Sequence, residues 1–233
     1  MPYYRSKYRS VKRIGMSARK AYLPRRFVRR FPRRGVQRPV TTKLADSKYF
    51  DVAGATYGCN TTGSITHLDI VPQGTTVTTR EGKSFRLTSV WARGSIDNLA
   101  ATVLSDVLCM LVWDRQPNKA LAAITDIIDV VTADSFTKRE NAGRFKILKK
   151  WSVSMSGSGT TVTNNGGKTN HRIDDYVKLP SDCVAVCTSA DTTGAIGNRI
   201  SGALLLVTAG DQVAAGAVSS NMIAGFRIGF KEA

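Results

Sequence analysis

The chain has 233 residues, 42% of them hydrophobic, with a formal charge of +17 and a pI near 10.1. That is enough apolar material for one large all-β domain or two small ones, and the charge selects a polyanionic partner such as phosphate. No stretch approaches the ~20 apolar residues of a helical membrane span and the N-terminus lacks the continuous apolar core of a secretory signal, so neither a membrane partner nor secretion is expected.

The charge is a block. Fifteen Lys and Arg and no Asp or Glu lie in residues 1–45; the remaining 188 residues hold nineteen basic and seventeen acidic side chains, a net of +2. Arg5, Lys7, Arg9, Lys12, Arg13, Arg19 and Lys20 come first, then a denser cluster of Arg25, Arg26, Arg29, Arg30, Arg33, Arg34 and Arg38. Pro24, Pro32 and Pro39 interrupt any helix, and like-charge repulsion opposes a compact form. A disordered nucleic-acid-binding arm over 1–45 is expected. Tyr22, Phe27 and Phe31 stand among the arginines, as suits single-stranded nucleic acid, where rings stack on bases and guanidinium groups hold phosphates; packing of such rings beneath the folded domain is equally open. Arg outnumbers Lys, which favours bidentate phosphate contacts. The same clusters fit a nuclear import signal.

From Asp46 to the end, short β-rich runs alternate with Gly, Asn, Asp and Pro. Strands are expected at 48–57, 64–71, 83–94, 102–114, 144–156, 171–179, 183–189, 201–209 and 222–230. Turn signals separate several of them, among them Pro72-Gln73-Gly74, Gly157-Ser158-Gly159 and Asn164-Asn165-Gly166-Gly167. One stretch differs: in Ala120 to Val131, Leu121, Ile124, Ile127, Ile128 and Val131 recur at spacings of three and four, which predicts a short amphipathic helix. Eight or nine strands with one helical insertion make a sandwich or jelly roll, an all-β shell domain over 46–233.

Candidate chemistry is sparse. The two histidines, His67 and His171, fit no metal-ligand pattern and read as surface or interface residues. His67 and Asp69 fall on one strand face, but no nucleophile motif accompanies them. Gly82-Lys83-Ser84 and Gly167-Lys168-Thr169 resemble the end of a phosphate-binding loop, yet Val77 and Val162 stand where its first glycine is required. Asp174-Asp175 reads as a turn or subunit contact. Cys183 and Cys187 lie about 13 Å apart along a strand, too far for a disulfide, and all four cysteines read as buried free thiols. No catalytic residue, metal site or cofactor is expected.

Two further features concern surfaces. Arg144, Lys146, Lys149 and Lys150 form a basic strip that would extend an interior nucleic-acid surface or equally a solvated outer face, with Arg144 and Lys146 opposite Phe145 and Ile147. Trp91, Trp113 and Trp151 are expected to anchor the sandwich or its interfaces, core packing being the favoured role.

Several blocks carry a resemblance. Gly82 to Ser89 (GKSFRLTS), Leu111 to Pro117 (LVWDRQP), Arg144 to Trp151 (RFKILKKW), Gly202 to Leu206 (GALLL) and Phe226 to Phe230 (FRIGF) resemble, in order, strands of the coat proteins of circular single-stranded DNA viruses, most closely the geminivirus-like group. Gln116 stands in the place of that family's second arginine. The chain is also shorter than typical members and lacks their cysteine- and histidine-rich elements, which is similar to a circular-DNA virus outside the plant geminiviruses. The resemblance implies an eight-stranded jelly roll, a virion of identical subunits, an icosahedral shell of sixty copies and a circular single-stranded DNA genome. It also implies entry to the host nucleus, with import receptors as further partners. Sixty such arms would carry about 900 positive charges, enough for on the order of 900 nucleotides. The coat protein of a small RNA virus and a non-viral basic nucleic-acid-binding protein remain alternatives.

Overall fold

The computed structural model describes residues 47–98, 104–156, 169–212 and 220–233, all within Thr42–Ala233, the second of two units into which the chain divides. Runs of Val, Ile, Leu, Phe and Trp with polar residues between them form ten strands among these residues: β1 Lys48–Cys59, β2 Ser64–His67, β3 Ser84–Asn98, β4 Ser105–Asp114, β5 Phe145–Met155, β6 Asn170–Lys178, β7 Val184–Cys187, β8 Arg199–Ser201, β9 Ala203–Gly210 and β10 Ser220–Glu232.

They make two antiparallel sheets. The larger runs β1-β10-β3-β7-β8, with β6 also on β3; the smaller runs β2-β9-β4-β5. β6 pairs with Ser89–Asp97 of β3 and β7 with Ser84–Arg86. The two are thus halves of one strand, broken where Pro180 has no N–H to donate and the Leu179 N–H turns to the Thr88 carbonyl at 2.9 Å. With those halves joined and β8 left as an appendage, first strand pairs with last, last with third, third with sixth, while the second, seventh, fourth and fifth form the other layer. This is the eight-stranded jelly roll expected from the sequence.

The main core lies between the sheets. Phe85, Val90 and Ile96 of β3 and Met222, Phe226 and Phe230 of β10 meet Cys109, Leu111 and Trp113 of β4 and Leu204 and Leu206 of β9. β4 and β9 bury both faces. Their second face, with Leu108, Met110, Val112, Leu205 and Val207, packs beneath Ile127, Ile128 and Ala133 from the β4–β5 connection. Close sheet packing also demands glycine at 94, where any Cβ would collide with the Ile223 carbonyl.

The connection corrects one expectation. Only Ile124–Ile127 is helical, a single turn (α1), not the whole of 120–131. Ile128, Val130 and Val131 after it are β-branched, which disfavours continuing the helix, and the adjacent Ile127 and Ile128 are both buried. Ile128 bridges Thr137 in extended form, so the segment meets the β4/β9 face by lying flat on it. β8 was not expected, being three residues long. β2 stops at His67 rather than 71, because Asp69 then takes over the pairing: its Oδ1 accepts the Leu204 N–H at 2.8 Å.

Candidate nucleic-acid interface

The arm residues from Arg5 to Arg38, with Tyr22, Phe27 and Phe31, lie outside the described residues, as do the turns at 157–159 and 164–167. Among the described residues, one group of cations and exposed aromatics lies on the outer face of the larger sheet. Alternation sends Val90, Ala92 and Ile96 of β3 and Phe226 and Ile228 of β10 into the core, so Trp91, Arg93, Ile223, Gly225, Arg227 and Gly229 point outward. Strand register then builds one row across four strands: Asp51 of β1 opposite Arg227 of β10, Arg227 opposite Trp91 of β3, Trp91 opposite Tyr176 of β6.

The row is held by specific contacts. Arg227 makes a two-pronged pair with Asp51, both at 2.7 Å, and its guanidinium sits 4.9 Å from the Tyr49 ring centre. That pairing keeps the Asp51 carboxyl below its usual range. The Trp91 indole N–H donates to Asp174 Oδ1 at 2.8 Å, and Arg93 lies 5.1 Å from the indole centroid. Trp91 is 36% exposed and Tyr176 68%. Trp91 therefore departs from the expected core role, which Trp113 and Trp151 do fill. Because the outward residues on either side of Arg227 are glycines, the face is hollowed there. One hollow of about 300 Å³ is lined by Trp91, Arg93, Gly225 and Arg227; another of about 330 Å³ by Ser47, Tyr49, Trp91, Tyr176 and Gly229.

The basic strip at 144–150 takes a different form. Arg144 forks onto Asp114, both contacts 2.9 Å. Lys146 reaches Asp182 at 3.0 Å and Lys149 reaches Asp175 at 3.4 Å. The bulge opposite Leu111/Val112 shifts the alternation, so Phe145 and Ile147 pack under the connection while Leu148 and Trp151 face the main core. Lys150 is exposed and has no ion-pair partner among the described residues. Lys146 and Lys149 therefore tie one sheet edge to the other, while Arg144 pairs within its own sheet.

Two buried ionic clusters depend on partners distant in sequence, beyond the local pairing of His67 with Asp69. Asp69 lies 2.7 Å from His67 Nε2 and 3.3 Å from Arg199 Nη2, all three side chains buried. Burial alone would raise the Asp69 carboxyl, but Arg199 and His67 together hold it low. His67 is thus a buried structural residue, not a surface one. Arg80 meets Asp191 at 3.0 Å, also buried, joining the β2–β3 and β7–β8 connections. Asp174 and Asp175 lie within β6 rather than in a turn. The Gly82 N–H and Glu81 N–H face Glu232, at 3.4 and 3.0 Å; a carboxylate occupies the place a phosphate would need. All four cysteines are buried free thiols, with Cys59 and Cys109 Sγ atoms 3.8 Å apart. Among the described residues no cluster of His, Cys, Asp and Glu could hold a metal ion.

Comparison with known proteins adds a family. The family model described as "Geminivirus coat protein/nuclear export factor BR1 family" matches residues 2–232. No curated protein matches. Two solved structures of infectious bursal disease virus align loosely: the Gt strain, at 11% identity and TM-score 0.17, over 80% of this chain and 42% of that one, and a viral particle at 8% identity and TM-score 0.15, over 81% and 40%. The chain thus spans less than half the length of either.

Proposed function

The chain belongs to the geminivirus coat protein family and is a viral capsid protein, a structural component of the virion; from that premise we propose that it assembles with identical copies into an icosahedral shell and packages single-stranded DNA through its basic arm. The single observation that carries this reading is the partition of charge: fifteen cations without one carboxylate in residues 1–45, against a net of +2 in the remainder. An evenly charged shell protein would give no part of itself so wholly to phosphate.

In this reading Arg5 through Arg38 condense the genome without reading its sequence, by releasing counterions, and the aromatics Tyr22, Phe27 and Phe31 stack on its bases. The near-neutral sandwich tiles into a shell of sixty subunits. Lys150, unlike its ion-paired neighbours, would add to the phosphate surface. Before assembly the arginine clusters serve nuclear import, engaging host import receptors.

Deleting residues 1–40 tests the central claim. Shell-like β structure by circular dichroism should persist while encapsidated nucleic acid disappears. Normal packaging by the truncated protein would sink the assignment. Nuclease treatment of wild-type particles, followed by identification of the protected strand, distinguishes DNA from RNA cargo.

A further inference from the structure

We propose that the outer face of the larger sheet is itself a stacking platform for single-stranded nucleic acid, centred on Trp91, with successive bases seated in the two hollows beside Arg227. The proposal rests on the packaging reading above, and gives the shell domain a share of the contact.

Three observations converge. First, aromatic rings are exposed side by side: Tyr176 lies opposite Trp91 on the adjacent strand, and Tyr49, opposite Gly229 two residues along from the row, flanks Arg227, at 68%, 36% and 40% exposure. A lone exposed aromatic is ordinary, but rings in register across adjacent strands, which stand about 4.8 Å apart, match the way sheet and barrel surfaces offer ring faces to unpaired bases. The Asp174 carboxylate fixes the Trp91 indole by its N–H, so stacking would order little that is not already ordered.

Second, room exists beside the rings. Gly225 and Gly229 leave the backbone bare on either side of Arg227, and both hollows share Trp91 and Arg227. A Cβ at Gly229 would lie 2.6 Å from Ser89 Oγ, so a side chain there would require the Ser89 hydroxyl to turn away. A flat ring entering either hollow would rest against Trp91 with the Arg227 guanidinium at its edge.

Third, the charge is complementary to a polyanion. The outward positions hold Arg86, Arg93, Arg172, Lys178, Arg227 and Lys231 against Asp51, Asp97 and Asp174, six minus three, or +3, while all of residues 46–233 carry only +2. Arg86, Arg172, Lys178 and Lys231 have no ion-pair partner among the described residues. Two copies of this face would repel, which disfavours self-association through it. The chain also enters the sheet here: Ser47 lines the second hollow, and the residues that precede it in sequence bear the fifteen cations.

Full-length protein is titrated with oligothymidylate at two salt concentrations, following tryptophan emission and affinity. Trp113 and Trp151 are buried, so quenching reports on Trp91. Wild type should be quenched on binding. Trp91→Ala and Tyr176→Ser should each bind at least about five-fold more weakly, with an unchanged dependence on salt, since the phosphate contacts remain. Tyr176→Ser, an exposed site, carries the test if Trp91→Ala does not fold. Unquenched wild type, with both variants binding like it and only the 1–40 deletion losing affinity, overturns the platform and leaves packaging by the arm intact. No binding by wild type even at low salt overturns both. If Tyr176→Ser binds normally but no longer forms shells, the face is a subunit contact and the platform is wrong.

Discussion

Asp175 of β6 accepts the indole N–H of Trp151 of β5 at 2.6 Å, and this bond joins the two sheets of the sandwich at the edge where they do not pair. Lys149 reaches the same carboxylate, and Lys146 repeats the tie lower down through Asp182. One residue earlier, Asp174 holds the exposed indole, Trp91, on the opposite face of β6. Consecutive carboxylates thus serve opposite sides of one strand, as the two-residue period of a strand requires.

Trp151→Phe keeps an aromatic ring in the core and removes the N–H donor, together with some buried ring volume. Hydrogen bonds to charged groups contribute about 1.5–3 kcal/mol; because Asp175 is partly exposed and keeps Lys149, the expected loss is about 1 kcal/mol. Chemical denaturation of the two proteins side by side checks it. Equal midpoints would show that the tie contributes nothing.

Arg199→Met should do far more harm. Removing one member of a buried ionic group leaves the others uncompensated, at a cost of about 3–5 kcal/mol; here Asp69 would keep His67 alone and lose the guanidinium. Adding Asp69→Asn to the same chain should recover part of the loss, since the stranded charge disappears. The pair of melting curves decides between this and simple loss of packing.

Acid should weaken the domain, with a sign that follows from the carboxylates. The Trp151 N–H and Lys149 hold Asp175 low, and Lys146 holds Asp182 low; Asp69, despite the opposing effect of burial, is held low by Arg199 and His67. A carboxyl depressed in the folded state stabilises above the unfolded value, near 3.9, and that contribution is lost as pH falls through the lower folded value. The melting temperature should therefore stay flat from neutrality to about pH 5 and drop below about pH 4. A domain equally stable at pH 3 and pH 7 would contradict these assignments.

The thiols should be silent in the native protein. Burial pushes the Cys183 thiol up to about 11; for Cys109 the contact with Cys59, then burial, raises it. Since the thiolate is the reactive form, a maleimide at neutral pH should label no cysteine until denaturant is added, when all four react. Rapid labelling of any one under native conditions would show that its strand opens.

Much of the jelly roll was legible because strands announce themselves locally. The expected strand at 144–156 became Phe145–Met155, and 183–189 became Val184–Cys187, because alternation and turn residues are properties of neighbours in sequence. The 120–131 segment misled for the same reason read backwards: its three- and four-residue spacings fit a helix, but only the β4/β9 face it covers shows that a flat extended path buries Ile127 and Ile128 as well.

What the sequence determined by itself is the division between a purely cationic leader and a nearly neutral β-rich body, because charge and alternation need no tertiary contact to be counted. Only the tertiary structure decided which charges remain available. Lys146 and Lys149 are neutralised by carboxylates more than twenty residues away, His67 and Asp69 are buried with Arg199 of the distant β8, and Trp91 joins Arg227 and Tyr176 because strand register, set across the sheet, aligns them.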